Sequence, residues 1–460
     1  MPARARFRLA AALAAAALAV VAPAAGAAPP WSPATAVPGL PPGTPALAFN
    51  DAGVGVIATD TGGGASTGAA GPHTVGALAD NDAFPGPTFP ITATNFALAD
   101  RFALYGLQRV VGLGTHFSRR TDRAGIVFGD AGEKLADVRF RGPTDRAGVG
   151  EALAANARGD VAATFGVCAN GPCVHQRLYL IIRRAGAAPL PSIRLDNVAV
   201  RQISAVAINA RGDALVAWQA NGGVFARIRT AGGTLYRTER LGNPGEPVRA
   251  ISAVLMPNRA AAVAWEAQDV VEGNPTSAAT VDATFKAAGA RHHFHSAQRL
   301  ATVPALTIGH YVSGRGVKAV LGRDGRITAA WTAFENGRFV VRAAGLSGFR
   351  FAGAQRLSDP AVDAILHDVD AGPNGAVGVL WETGVAGHDP GVGTGSLVAA
   401  LRAPGAAGFA PPETIAIAGA PQGATLRFDP STGRAIAAWS GLATQMTSVR
   451  PPLAAAAPPG

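Results

Sequence analysis

Two glutamates stand where chemistry is most readily placed. Glu266 follows Trp265 and Glu382 follows Trp381, in segments that repeat one another, and Asp269, Glu272, His388 and Asp389 lie in the stretches that come next. A pair of carboxylates can act as general acid and general base in glycoside cleavage, or can hold a hard cation such as calcium. The other reading is of solvated strand ends beside abundant arginines. No spacing of nucleophile, base and orienting residue accompanies the pair. Enzymatic activity is therefore left undecided, and a binding role is favoured, with these six residues as the candidate ligand site.

The remaining motifs are less specific. His292, His293 and His295 form a histidine cluster, with His310 as the nearest candidate for a third metal ligand, but exposed hairpin histidines explain them as well. Asp368-x-Asp370-x-Gly372-x-Asn374 matches only the first half of a calcium loop and lacks the distal glutamate. Arg158-Gly159-Asp160 and Arg211-Gly212-Asp213 are adhesion tripeptides in letter, yet both sit in a repeated turn. Neither a nucleophile elbow, a phosphate loop nor a dinucleotide fingerprint occurs. No cofactor and no metal site is assigned, calcium being the one cation that the carboxylates would admit. Cys168 and Cys173, separated by Ala-Asn-Gly-Pro, are expected to form a local disulfide in an oxidising compartment.

Address and charge narrow the partners. Residues 1–27 read as an export signal: Arg4, Arg6 and Arg8, an apolar run from Leu9 to Val21, then Ala25-Gly26-Ala27 as cleavage pattern. The mature chain is expected to be secreted and extracellular, with no transmembrane segment after cleavage and with a Pro/Ala-rich tail over 451–460. The formal charge of +10 includes the three arginines of the leader, leaving about +7. Only Lys134, Lys286 and Lys318 are lysines, and the arginines are spread along the chain without interleaved aromatics. Nucleic acid is therefore not an expected partner; an extracellular glycan, a wall polymer or a protein is, for a monomer.

The elements that must position these residues are given by internal repeats. Asn209-Ala-Arg-Gly212-Asp-Ala-Leu-Val-Ala-Trp218 recurs as Asn156 to Phe165, and Gly again precedes Trp by six residues at Gly325 and Trp331, Gly375 and Trp381, and Gly433 and Trp439. A degenerate copy has Arg259 before Trp265, and an N-terminal one has Gly53 before Thr59. Arg-Phe or Arg-Leu pairs at 139, 194, 240, 299 and 356, and Thr414-Ile415, close successive units at intervals of 46 to 59 residues. Each unit reads as four short strands broken by Gly, Asn and Asp turns. The second strand, such as Ala214 to Trp218, is apolar without alternation, so both its faces should be covered. Such a unit is a propeller blade packed between two neighbours.

The sequence thus predicts an all-β protein, a β-propeller of four-stranded blades forming one domain over 28–450. Eight blades are expected, with seven as the alternative count, because the unit at 97–142 lacks the Gly-to-aromatic signature. The last unit supplies three strands, and Ser32 to Val37 is expected to supply the fourth and close the ring. The Gly-to-Trp spacing with its Arg-x-x-Gly and Arg-Leu segments resembles secreted β-propeller repeat proteins of high-GC bacteria, over residues 44 to 449. It departs from the Asp-box turn of sialidase-like propellers, where Gly lies three residues before Trp, so no sialidase chemistry is implied. Long loops at 61–73, 166–175, 268–279 and 384–396 share one face, and a ligand is expected there, near the central channel.

Overall fold

The computed structural model describes residues 30–40, 45–49, 53, 55–60, 74–78, 89–90, 96–105, 109–116, 123–130, 136–139, 148–168, 176–195, 203–271, 274–275, 277–289, 293–304, 316–384, 395–416, 423–441 and 445–455. The leader expected at 1–27 lies outside them, as do Cys173 and therefore the expected disulfide.

Among the described residues there is no helix, and the chain forms eight four-stranded antiparallel sheets. Their first strands are Ala46–Phe49, Phe96–Tyr105, Gly148–Ala155, Ser204–Ile208, Val248–Leu255, Val317–Leu321, Asp363–Ala371 and Ala424–Phe428. Each packs against the first strand of the next sheet, and Ala424–Phe428 packs back against Ala46–Phe49. Sheets whose first strands close on one another around an axis form a β-propeller, with those strands lining the centre. The eighth sheet is completed from the other end of the chain, as expected: Thr35–Val37 pairs with Gln445–Arg450. The Ser32 amide donates to Val449 O at 2.8 Å and the Val449 amide to Ser32 Oγ at 3.0 Å. Trp31 is buried in the core around Leu380, Leu426 and Trp439.

The second strands are buried because sheets cover them on both sides. Every residue of Ala214–Ala220 and of Ala261–Ala267 is buried. Their alanines let neighbouring sheets approach, and the repeat tryptophans fill the space between them. Trp265 lies against Gly242 of the preceding sheet so closely that a Cβ there would sit 2.7 Å from the ring. A buried Trp removes ~200 Å² from water, a gross stabilisation on the order of 5 kcal/mol.

The repeated turn owes its glycine to backbone geometry. Gly159, Gly212, Gly325, Gly375 and Gly433 all have φ between 74° and 89°, a region that costs other residues about 1 kcal/mol. In the degenerate copy Arg259 adopts φ 69°. The flanking Asn and Asp are structural. Asn209 Oδ1 accepts the amides of Arg211 and Asp213, each at 3.0 Å, while its Nδ2 donates to Met256 O in the next sheet, also at 3.0 Å. Asn156 repeats the arrangement, donating to Asn209 O. Asp160 and Asp213 are buried, so both Arg-Gly-Asp runs are turn chemistry. Asp213 accepts from Arg259 at 2.9 Å.

Polar side chains also join the sheets at the rim. The carboxylate of Glu239 accepts the Phe294 amide, and the amides of Gln298 and Gln355 each pair with both backbone groups of Phe351 and Phe409. In each case the residue before the Arg-Leu pair makes the contact to the next sheet.

Candidate functional site

Glu266 and Glu382 occupy the position that follows the repeat tryptophan, one sheet apart from a shared neighbour. In the sheet before them Gln219 holds this position, and its Oε1 accepts the Val248 amide of the next first strand at 3.1 Å. Glu266 does the same: it is 0% exposed, and its Oε2 accepts the Gly316 amide at 2.9 Å. Thr332 repeats the device with the Leu366 amide at 3.1 Å. Glu382 differs, turning to His367 of its own sheet, with Oε2 3.2 Å from Nε2. Both side chains of that pair are buried. The Gly395 backbone covers the carboxylate so closely that a Cβ there would lie 2.6 Å from Oε1. Neither glutamate is a solvated strand end. Both are fastened to the frame.

The other candidates of this face are divided. Asp269 is half-buried at the foot of a small hairpin, Val270–Val271 with Asn274–Pro275, and its amide donates to Ser277 Oγ at 2.9 Å. Glu272, His388 and Asp389 lie outside the described residues. His293 is exposed, with Nδ1 3.1 Å from Glu239, and His295 rests its ring on the exposed Phe349 at 4.3 Å; His292 and His310 lie outside the described residues. Among the described residues no three His, Cys, Asp or Glu side chains are grouped as a metal would need.

A charged cluster that sequence reasoning did not assemble lies on three consecutive first strands. Asp368 Oδ1 accepts Lys318 Nζ at 2.6 Å, and its Oδ2 accepts Arg427 Nη1 at 2.6 Å, Thr425 Oγ1 at 2.7 Å and the Leu426 amide at 3.0 Å. Asp370, two residues on and on the same face of the strand, accepts the Phe428 amide at 2.8 Å. These bonds reach the backbone edge of the next first strand, the edge that faces the centre of the ring. The Asp-x-Asp pair is therefore not a calcium loop: it lies in a strand, and an ammonium and a guanidinium occupy the oxygens of Asp368.

Burial alone would raise both carboxyls, and the neighbours decide otherwise for one of them. Arg427, Lys318 and the Leu426 amide hold Asp368 well below the usual carboxylate range despite burial. Burial pushes Asp370 up to about 6 against the pull of Arg427, with the Asp368 charge adding to the rise. Arg427 is held charged by the two carboxylates. Lys318 and Arg427 nonetheless keep 38% and 35% of their side chains open to solvent, so the cluster lines a wall of the channel. The sequence signal for it was polar residues at alternate positions of otherwise apolar first strands, visible in Asp368-x-Asp370 and Thr425-x-Arg427.

No family model and no curated protein matches the chain. Among solved structures it is similar to a polysaccharide lyase of family PL25, an ulvan lyase bound to a GlcA–Rha3S oligosaccharide. That similarity has 11% identity and a TM-score of 0.41, over 74% of this chain and 89% of the other. The WD40 domain of SCAP from fission yeast is similar over 91% of this chain and 98% of its own, at 8% identity and a TM-score of 0.48. The Hadza microbial sialidase Hz136 is similar over 72% and 73%, at 12% identity and a TM-score of 0.34. The fold assignment stands on the sheets and their order around the axis. Among the described residues no helix is long and apolar enough to cross a membrane.

Proposed function

We propose that the protein is a secreted, non-enzymatic β-propeller that binds an extracellular glycan or another cell-envelope polymer at its long-loop face and channel, and that it is related to the secreted propeller repeat proteins it resembles. The observation that carries this reading is the placement of Glu266. Its carboxylate is wholly buried and fixed to the Gly316 amide, so it has no open oxygen to offer a glycosidic bond or a water. Glu382 is likewise covered, by His367 and the Gly395 backbone. A catalytic carboxylate pair must reach the scissile bond from both sides, and these two reach the frame instead. The channel wall, by contrast, presents cationic groups to solvent.

The test is a binding screen of the mature chain against glycans and wall polymers, with and without calcium, with product release followed in the same samples. Saturable binding without release supports the reading. Release that disappears in Glu266→Gln or Glu382→Gln overturns it in favour of a carbohydrate-active hydrolase or lyase.

A further inference from the structure

We infer that Lys318 and Arg427 form an oxyanion-binding site in the channel, whose ligand is a carboxylate, sulfate or phosphate group carried on a saccharide. The inference deepens the binding role proposed above and rests on it only for the saccharide.

The joint between first strands does not itself need charge. Two sheets before Asp368, Ser252 makes it with a hydroxyl, accepting the Ala319 amide at 2.9 Å and donating to Ala319 O at 3.3 Å. At equivalent positions of earlier first strands, facing the residue before the repeat aromatic, stand Ala152 and Ala205. The first strands Val317–Leu321, Asp363–Ala371 and Ala424–Phe428 thus bring Lys318, Asp368 and Arg427 together at a joint that a neutral residue makes elsewhere in the ring. Both cations also have donors to offer. Arg427 uses Nη1 for Asp368 and for Leu426 O; among the described residues its Nε and Nη2 donate to nothing. Among the described residues Lys318 Nζ makes one bond, to Asp368, of the three an ammonium can make.

An oxyanion placed between them would receive the free Arg427 fork edge and the remaining Lys318 protons, the geometry in which guanidinium and ammonium groups bind carboxylate, sulfate and phosphate. Asp368 holds the two cations on either side of itself. Asp370 opposes the ligand while ionised, and its raised titration near 6 lessens that opposition in mild acid.

The experiment is calorimetric titration of the full mature chain with sodium sulfate, sodium phosphate and sodium glucuronate at matched ionic strength, with glucose as the neutral control. Saturable binding of at least one oxyanion, at Kd of about 1 mM or tighter, with none for glucose, is the expected result. Arg427→Gln should weaken it about tenfold, Arg427→Lys less, and Asp370→Asn should tighten it several-fold; a merely structural joint would not give that gain. Melting curves for each variant report folding, and Asp370→Asn preserves the acceptor for the Phe428 amide. Absence of oxyanion binding, or affinity indifferent to both Arg427→Gln and Asp370→Asn, overturns the site. Retention of a polymer that sulfate does not displace also overturns it and leaves the binding role standing; oxyanion binding without retention of any polymer supports the site and removes the binding role.

Discussion

The Glu266 carboxylate accepts the Gly316 amide at 2.9 Å across the boundary between two sheets, in the same position from which Gln219 grips Val248 and Thr332 grips Leu366. Because a neutral amide and a hydroxyl serve equally well elsewhere in the ring, Glu266→Gln should keep the joint and lose little stability. Glu266→Ala should lose about 1–3 kcal/mol, the cost of leaving the buried Gly316 amide without an acceptor. Thermal melting of the two variants checks this, and polymer binding should persist in Glu266→Gln.

Arg259 occupies a glycine position of the repeated turn at φ 69° and uses the strained backbone to reach Asp213 and Tyr236. Arg259→Ala keeps the strain and removes the ion pair, whereas Arg259→Gly removes both. The alanine variant should therefore be less stable than the glycine variant by about 1 kcal/mol, as read from denaturant midpoints.

Asp368 and Asp370 should give opposite pH signatures. Asp370, raised from 3.8 to about 6, favours folding below its unfolded value and loses that contribution as pH rises through about 6. Asp370→Asn should melt above wild type at pH 7–8 and level with it below pH 4. Asp368 is lowered, so its contribution is present above the ordinary aspartate range and is lost only in strong acid. Asp368→Asn should lower the melting temperature at pH 7, by about 1.5–3 kcal/mol in stability, for the loss of charge-assisted hydrogen bonds from Lys318 and Arg427, whose side chains stay partly in water.

Ring closure depends on the N-terminal segment. Removal of the chain through Val37 would leave one edge of Gln445–Arg450 unpaired and take Trp31 out of the core around Leu380, Leu426 and Trp439. The truncated chain should unfold at a markedly lower temperature, and a synthetic peptide covering Trp31 to Val37 should restore part of the loss.

The fold was legible because its determinants repeat. Glycine six residues before an aromatic marks a positive-φ turn leading into a buried strand, and the terminal strand was foreseen from the three strands left over at the C-terminal end. Even the unit at 97–142, which lacks the signature, forms a four-stranded sheet. The site was less legible for a physical reason. Glu266 and Glu382 read as exposed because charged residues usually are, and no local pattern tells that the next sheet supplies an amide to the first and that a histidine of its own sheet covers the second. The Lys318, Asp368 and Arg427 cluster draws on three units about 50 residues apart, so only the closed ring brings it together.

The most direct measurement is to incubate the mature chain with an anionic envelope polysaccharide, measuring the binding isotherm and the polymer's chain length in the same samples. The account expects saturable binding, weakened by Arg427→Gln, with chain length unchanged. Shortening of the polymer by the wild type, abolished in Glu382→Gln, would contradict it.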